Sequence, residues 1–216
     1  MENSFHIYNK LASDGVAMAT DRLLCATHSQ KGKTRGTGTR SRTQIPEVSE
    51  DCSDEEKKPP VVVCVGSDLA IGDSLGPITG SMLKYKTQGL NVFLYGTLAA
   101  PVTAKEIRYL RTFLKETHAG SQILAVDAAV GEKGDIGLIR VTDTPLLPGA
   151  GANKKLGAIG DISVMGIVAE KSVSNYGLLN TTRLNLVYTM SEIISDAVAS
   201  VLWERCSLQK SEKKKA

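Results

Sequence analysis

From residue 60 onward, apolar and polar positions fall into blocks of two periods, one suited to strands and one to helices. The β-branched run Val61-Val62-Val63-Cys64-Val65, closed by Gly66, has the texture of a strand buried on both faces. A helix is expected from about Ser74, with Pro77 in its first turn and the polar stretch Lys84 to Gln88 at its end. Asn91 to Tyr95 reads as the next strand. Pro101 then opens a helix in which Ile107, Leu110, Phe113 and Leu114 share a face, and His118-Ala119-Gly120 ends it. Ile123 to Val126 predicts a third strand with Asp127 standing at its end, and Ile136 to Val141 a fourth. Asp143 to Ile159 is rich in Pro and Gly and reads as a long loop, followed by a strand over Ile162 to Val168. The last helix starts near Asn180, its expected N-cap, and aligns Leu184, Val187, Ile194, Val198 and Val201 up to Trp203. Strands alternating with helices imply an α/β fold, a three-layer α/β/α sandwich on a mostly parallel, mixed sheet.

The first 60 residues have a different texture. Leu11, Val16, Leu23 and Leu24 give a helical period over Leu11 to Thr27, a helix able to dock on the core. Between His28 and Pro60 the only larger apolar residues are Ile45 and Val48, and charge comes in blocks, basic from Lys31 to Arg42 and acidic from Glu47 to Glu56. Such a stretch buries too little apolar area to offset its ordering entropy. The expected organisation is an N-terminal helical segment (1–28), a disordered linker (29–60), an α/β core (61–206) and a basic tail (207–216).

Composition narrows the class. With 216 residues, 42% of them hydrophobic, the chain can bury one sizeable core. The net charge of +3 is confined to the tail, where Lys210, Lys213, Lys214 and Lys215 face Glu212. Residues 1–60 carry nine basic and nine acidic side chains, and residues 61–206 thirteen of each. No nucleic-acid surface is expected from that distribution. No run approaches the roughly 18 apolar residues of a membrane span, and the N-terminus lacks a signal-peptide layout, so no membrane partner is expected. Cys25, Cys52, Cys64 and Cys206 form no metal-ligand spacing, and a reducing, cytoplasmic setting suits them.

Two lookalike motifs fail on chemistry. Gly32-Lys33-Thr34 resembles the end of a phosphate loop, but the leading glycine position holds Thr27 and no strand precedes it. Gly72-Asp73-Ser74-Leu75-Gly76 has the form of a serine-hydrolase elbow, yet no histidine follows Ser74 and Asp127 in the required order, and Ser74 lies well beyond Gly66. What survives is a pair of carboxylates, Asp73 after the first core strand and Asp127 after the third. In open α/β sheets the ligand crevice lies beyond the carboxyl ends of the strands, so both can face one cleft. Two such groups split their proton affinities, and one can serve as acid while the other serves as base. Capping of the following helix is the alternative role for Asp73. Gly149, Gly151, Gly157 and Gly160 make the long loop either a lid over that cleft or a surface crossing.

Five ordered blocks carry a resemblance: VVVCVGSDLAIGDSLGP (61–77), YGTLAAPV (95–102), AVDAAVG (125–131), PGAGANKKL (148–156) and NTTRLNLV (180–187). They resemble the YyaC family of spore proteases, which is similar in turn to the germination protease of spore-forming bacteria, an aspartate-dependent endopeptidase acting on small acid-soluble spore proteins. That family's G-N-x5-D-x2-G pattern matches Gly66 through Gly76, with Ser67 in place of Asn, and its strand ending in V-D-A matches Asp127. The resemblance implies a phosphorylase/hydrolase-like fold, catalytic Asp73 and Asp127, and substrate contacts from Ser67, Thr97 and Asp161, with capping of its loop as the alternative, favoured role for Asp161. It also implies a small protein or peptide substrate, spore-associated, in the cytoplasm of a spore-forming cell or in the spore; a homo-oligomer is compatible with it. Because the germination protease is made as a zymogen, the N-terminal segment is a candidate pro-segment. The wider relatives, the hydrogenase-maturation endopeptidases, use a metal-binding acid, an Asp and a later His. No His follows His118, so the aspartate-only version, with no metal and no cofactor, is implied. The alternatives are a non-catalytic scaffold or binding protein on the same fold, and a metal-dependent maturation endopeptidase.

Overall fold

A computed structural model of the chain describes residues 1–31, 58–149, 156–171 and 181–212. Most of the expected linker, the centre of the Gly-rich loop with Gly151, the expected N-cap Asn180 and the end of the basic tail lie outside the described residues. Six strands form one sheet: β1 (Glu2–His6), β2 (Val61–Cys64), β3 (Phe93–Tyr95), β4 (Ile123–Gly131), β5 (Leu138–Thr142) and β6 (Ile162–Glu170), in the order β1-β5-β6-β4-β2-β3. The run β6-β4-β2-β3 is parallel, and β5 and β1 are added antiparallel at one side. Helices α1 (Ala12–Lys31), α2 (Leu75–Lys86) and α4 (Leu184–Glu212) lie on one face and α3 (Ile107–Thr117) on the other, the expected three layers.

Strand alternation sorts the core between these layers. Val62, Cys64, Leu124, Val126 and Val164 pack with Val16, Leu75, Val187 and Ile194 of the three-helix layer. Val61, Val63 and Ala125 turn the other way and pack with Ile107 and Leu114 of α3. Within α4, Leu184–Ser207 is long and apolar enough to cross a membrane by length and composition. Its Val187, Met190, Ile194 and Val198 are instead buried in the protein's own core.

The structure departs from the pattern in three places. Residues 2–6 form β1, which pairs antiparallel with β5 from Glu2↔Thr142 to His6↔Leu138. The N-terminal helix follows it, is longer than its periodicity implied, and buries Val16, Ala19, Leu23 and Leu24. This segment is part of the sheet and core, so the expected division at residue 28 gives way to one unit built from both ends of the described chain. Second, α3 starts at Ile107 rather than at Pro101, because Glu106 accepts a hydrogen bond from the Thr103 N–H (3.0 Å) and closes a turn first. Third, β4 does not stop at Val126 but continues to Gly131, paired with β6 as far as Gly131↔Glu170.

The tightest packing lies where α2 meets the carboxyl end of β2. A Cβ on Gly76 would sit 1.9 Å from the Val65 carbonyl oxygen, and one on Gly80 would sit 1.8 Å from that of Gly96. Gly96 itself has φ +89° and Gly66 φ +144°, conformations that side-chain-bearing residues rarely adopt. Gly76→Ala is therefore expected to lower stability by at least about 2 kcal/mol in urea unfolding, against about 0.5 kcal/mol or less for Gly134→Ala, which has open space around it. Removal of residues 1–31 is expected to abolish cooperative thermal unfolding and expose apolar surface to a reporter dye, because β5 loses one of its two partners and the core loses α1.

Candidate active site

Asp73 is held by the turn that starts α2. The chain leaves β2 through Gly66, whose N–H donates to the Val102 carbonyl (3.0 Å), and loops back so that Ser67 N–H donates to the Asp73 carbonyl (3.0 Å). Asp73 N–H donates to Ala70 and Ser74 N–H to Ile71, forming the short 3-10 turn Gly72–Ser74 that runs into the helix. A Cβ on Gly66 would lie 2.1 Å from the Asp73 carbonyl oxygen, so this return path requires glycine. The Asp73 side chain is left half-buried.

Asp127 comes to the same place from β4. β2 pairs with β4 as far as Cys64↔Val126, and Val65 N–H donates to the Val126 carbonyl (2.7 Å). Asp127 is thus the next residue of β4 past the paired length of β2. It stands mid-strand rather than at a strand end, yet at the carboxyl end of the neighbouring strand, where the crevice of a parallel sheet opens. It shares the side of β4 that carries Ala125 toward α3.

The Asp127 carboxyl is 8% exposed and accepts a hydrogen bond from the Ala128 N–H at 2.8 Å. Burial pushes its pKa well above the usual carboxylate range, the negative charge of Asp73 pushes it further, and the Ala128 bond opposes both. One acid with raised proton affinity therefore stands beside a second that is more open to water. The Ala128 N–H is a contribution no side-chain pattern announces, since any residue after Asp127 would supply it.

The other expected contacts are placed less centrally. Ser67 is near Asp73, but its hydroxyl accepts from the Leu69 N–H (3.2 Å). Thr97 closes a tight turn with Ala100 through two backbone bonds of 3.1 Å, and its hydroxyl accepts from the Ala100 N–H (3.3 Å). Both are committed to shaping their loops. Asp161 stands at the opposite end of the sheet, where Ile123 N–H donates to its Oδ2 (2.9 Å) and its own N–H donates to the Ile123 carbonyl (2.8 Å). Four residues of β4 separate that point from Asp127, roughly 13 Å at strand rise. Asp161 therefore ties β6 to β4 and is separated from the carboxylate pair. The described ends of the Gly-rich loop are anchored at that same far end, by the reciprocal Leu146–Ile159 bonds and by Arg111 Nε donating to the Ala158 carbonyl. The centre of that loop, residues 150–155, lies outside the described residues.

The Ser74 and His118 side chains are each engaged away from the serine-triad arrangement. The Ser74 hydroxyl is buried and donates back to the Ile71 carbonyl (2.6 Å), while His118 Nε2 is hydrogen-bonded to the Tyr95 hydroxyl (2.7 Å) among Phe93 and Phe113. A maturation-endopeptidase metal centre is equally ill-suited to these residues. Among the described residues no group of three or more His, Cys, Asp or Glu could hold a metal ion, and two carboxylates fall short of the three or four ligands such a metal takes.

The raised Asp127 pKa has a consequence for stability. The folded state binds this proton more tightly than the unfolded chain, so the group favours folding below the ordinary carboxylate pKa. That contribution is lost as pH rises from the ordinary value through the raised one. Asp127→Asn, which never ionises, is expected to melt at a higher temperature than the parent protein at neutral pH, with the difference shrinking toward pH 4. Thermal melts across that range measure it.

Comparison with known proteins adds relationship to geometry. Residues 40–197 match the family described as "Protein of unknown function (DUF1256)". The chain is 39% identical over 142 residues to the "Uncharacterized protein YyaC" of Bacillus subtilis (strain 168), covering 66% of this chain and 69% of that protein. The crystal structure of a [NiFe] hydrogenase maturation protease, HycI from Thermococcus kodakarensis KOD1, superposes with a TM-score of 0.44 and 16% identity, covering 68% of this chain and 94% of that one. With the matched region spanning the whole parallel half of the sheet and both aspartates, the chain belongs to the DUF1256 family.

Proposed function

We propose that this protein is an endopeptidase in which Asp73 and Asp127 activate water for attack on a peptide bond. The observation that carries the reading is the buried Asp127 carboxyl beside Asp73 at the carboxyl end of the parallel strands, where burial and the charge of Asp73 both raise its proton affinity. A buried carboxyl is costly unless it is hydrogen-bonded or used, and Asp127 accepts one described bond, from the Ala128 N–H.

The environments divide the roles. Asp73, the less buried, takes a proton from water as the water oxygen bonds to the carbonyl carbon. Asp127 donates a hydrogen bond to the carbonyl oxygen as charge develops there. When the tetrahedral species collapses, the proton held by Asp73 passes to the departing nitrogen and the C–N bond breaks, which returns both acids to their starting states. The resemblance to the germination protease supplies the setting: a small spore-associated protein as substrate, in the cytoplasm of a spore-forming cell.

Incubation of the protein with small acid-soluble spore protein at several pH values, beside Asp73→Asn and Asp127→Asn, tests the reading. Cleavage by the parent chain is expected to fall by a factor of about 10² to 10⁴ in each variant. Equal behaviour of all three folded chains sinks the peptidase and leaves a binding protein on this fold. Loss of cleavage with excess chelator would assign the chemistry to a metal-dependent mechanism instead.

A further inference from the structure

Strand register sets three side chains in a row on the sheet face that carries α3. Asp127 of β4 is the register partner of Met165 of β6, and Met165 is in turn the partner of Arg140 of β5. Ile139 and Val141, on either side of Arg140, point into the three-helix layer, so Arg140 points the other way, onto the face of Asp127. Two strand spacings, roughly 10 Å, separate the Cα atoms of Asp127 and Arg140. Extended Asp and Arg side chains together close a gap of that size. Met165 stands in it, half-buried and packed against the cluster that contains Val65 and Ala125.

The guanidinium is also drawn away from its far side. Arg140 Nη2 donates to Asp135 Oδ2 (2.7 Å) in the turn after β4, and its Nε lies 3.5 Å from Glu2 Oε1 on β1. The Nε is buried and makes no hydrogen bond among the described residues, so Arg140 has a donor to spare for a carboxylate within reach. The other elements around Asp127 bring it no cation. The turn before α2 brings the like charge of Asp73, β2 brings Val65, and α3 packs on this face through Ile107, Leu110 and Leu114. Glu2 and His6 of β1 lie one strand beyond Arg140. Arg140 is the only arginine or lysine within the six described strands, and no cation lowers the proton affinity of Asp127.

We infer that Met165 is a positioning residue, a spacer that keeps the Arg140 guanidinium from pairing with the Asp127 carboxyl and so leaves Asp127 free to act as the acid beside Asp73. A salt bridge to Arg140 would do the reverse. An opposite charge within about 4–6 Å lowers the titration of a carboxyl by about 1–3 pH units, and an ionised, paired Asp127 has no proton to offer a carbonyl oxygen. Methionine suits the position because it is long, adaptable and uncharged, so it fills the gap without attracting the guanidinium. A short side chain leaves the gap open. The inference deepens the peptidase reading and rests on it for the use made of the acid, but the separation itself is read by titration.

The test is a carbon-13 NMR titration of the Asp127 carboxyl in the full chain, with the signal assigned by its absence in Asp127→Asn. Met165→Ala is expected to move the Asp127 midpoint down by about one pH unit or more. Met165→Leu is expected to leave it near the parent value, and Arg140→Gln to restore it in the Met165→Ala background. An unchanged midpoint in a folded Met165→Ala chain overturns the inference. So does a fall that survives Arg140→Gln, since water entering the gap would then be its cause. If Met165→Ala does not melt cooperatively, Met165→Thr, whose branched side chain suits a strand, replaces it with the same expected results. If the midpoint moves as expected but the parent chain cleaves no spore protein, the peptidase reading fails while the spacer stands. Cleavage with an unmoved midpoint has the opposite meaning.

Discussion

The contact between the start of α2 and the carboxyl end of β2 is the constraint on which the candidate site depends. Helix and strand approach so closely that Gly76 has no room for a methyl group against Val65, nor Gly80 against Gly96. This proximity sets where the turn before α2 lies, and therefore where Asp73 lies relative to β4. Had a larger residue stood at Gly76, the helix would be pushed off the sheet and the two carboxylates would separate. The glycines thus work on the electrostatics of Asp127 without touching it, since Asp73 is one of the two causes of its raised proton affinity.

The second constraint is the cost of placing an acid inside a sheet. Asp127 sits in a strand whose preceding residues Leu124, Ala125 and Val126 are all buried, and it is buried itself. Burial raises the proton affinity of such a group, and the Ala128 N–H that it accepts offsets part of the cost. The surrounding fold supplies the stability that this arrangement lacks, through two helical layers and a sheet extended by β5 and β1 on the side away from the site. The N-terminal segment belongs to that support, for β1 completes the sheet and α1 packs in the same core cluster as α4.

Much of this was legible in the chain. The buried strands β2, β4 and β6 announce themselves as apolar runs, α3 and α4 by their stripes, Asp127 by directly following such a run, and Asp73 by standing in the loop between a strand and the next helix. The parts that were not legible depend on distant partners. Glu2–His6 mixes polar and apolar residues and becomes a strand only because β5 offers it an edge. The length of β4 was obscured by Asp127 itself, which reads as a terminator until β6 is found alongside it as far as Gly131. Asp161 left two readings open, a cleft member or a loop cap, because sequence does not reveal at which end of the sheet a residue preceding a strand will stand. It precedes β6, and since β6 runs parallel to β4, that is the end away from Asp127.

The sequence by itself determined the layered α/β class, the buried strands and the two carboxylates, because periodicity and burial are local properties of the chain. Tertiary structure decided which acids meet and which do not. Strand order and direction are long-range choices, and they bring Asp73 to Asp127, send Asp161 and the anchors of the Gly-rich loop to the far end, and fold the N-terminal segment into the sheet. Proton affinity followed the same division: in the chain the two residues are alike, and only burial and the approach of Asp73 raise the proton affinity of Asp127.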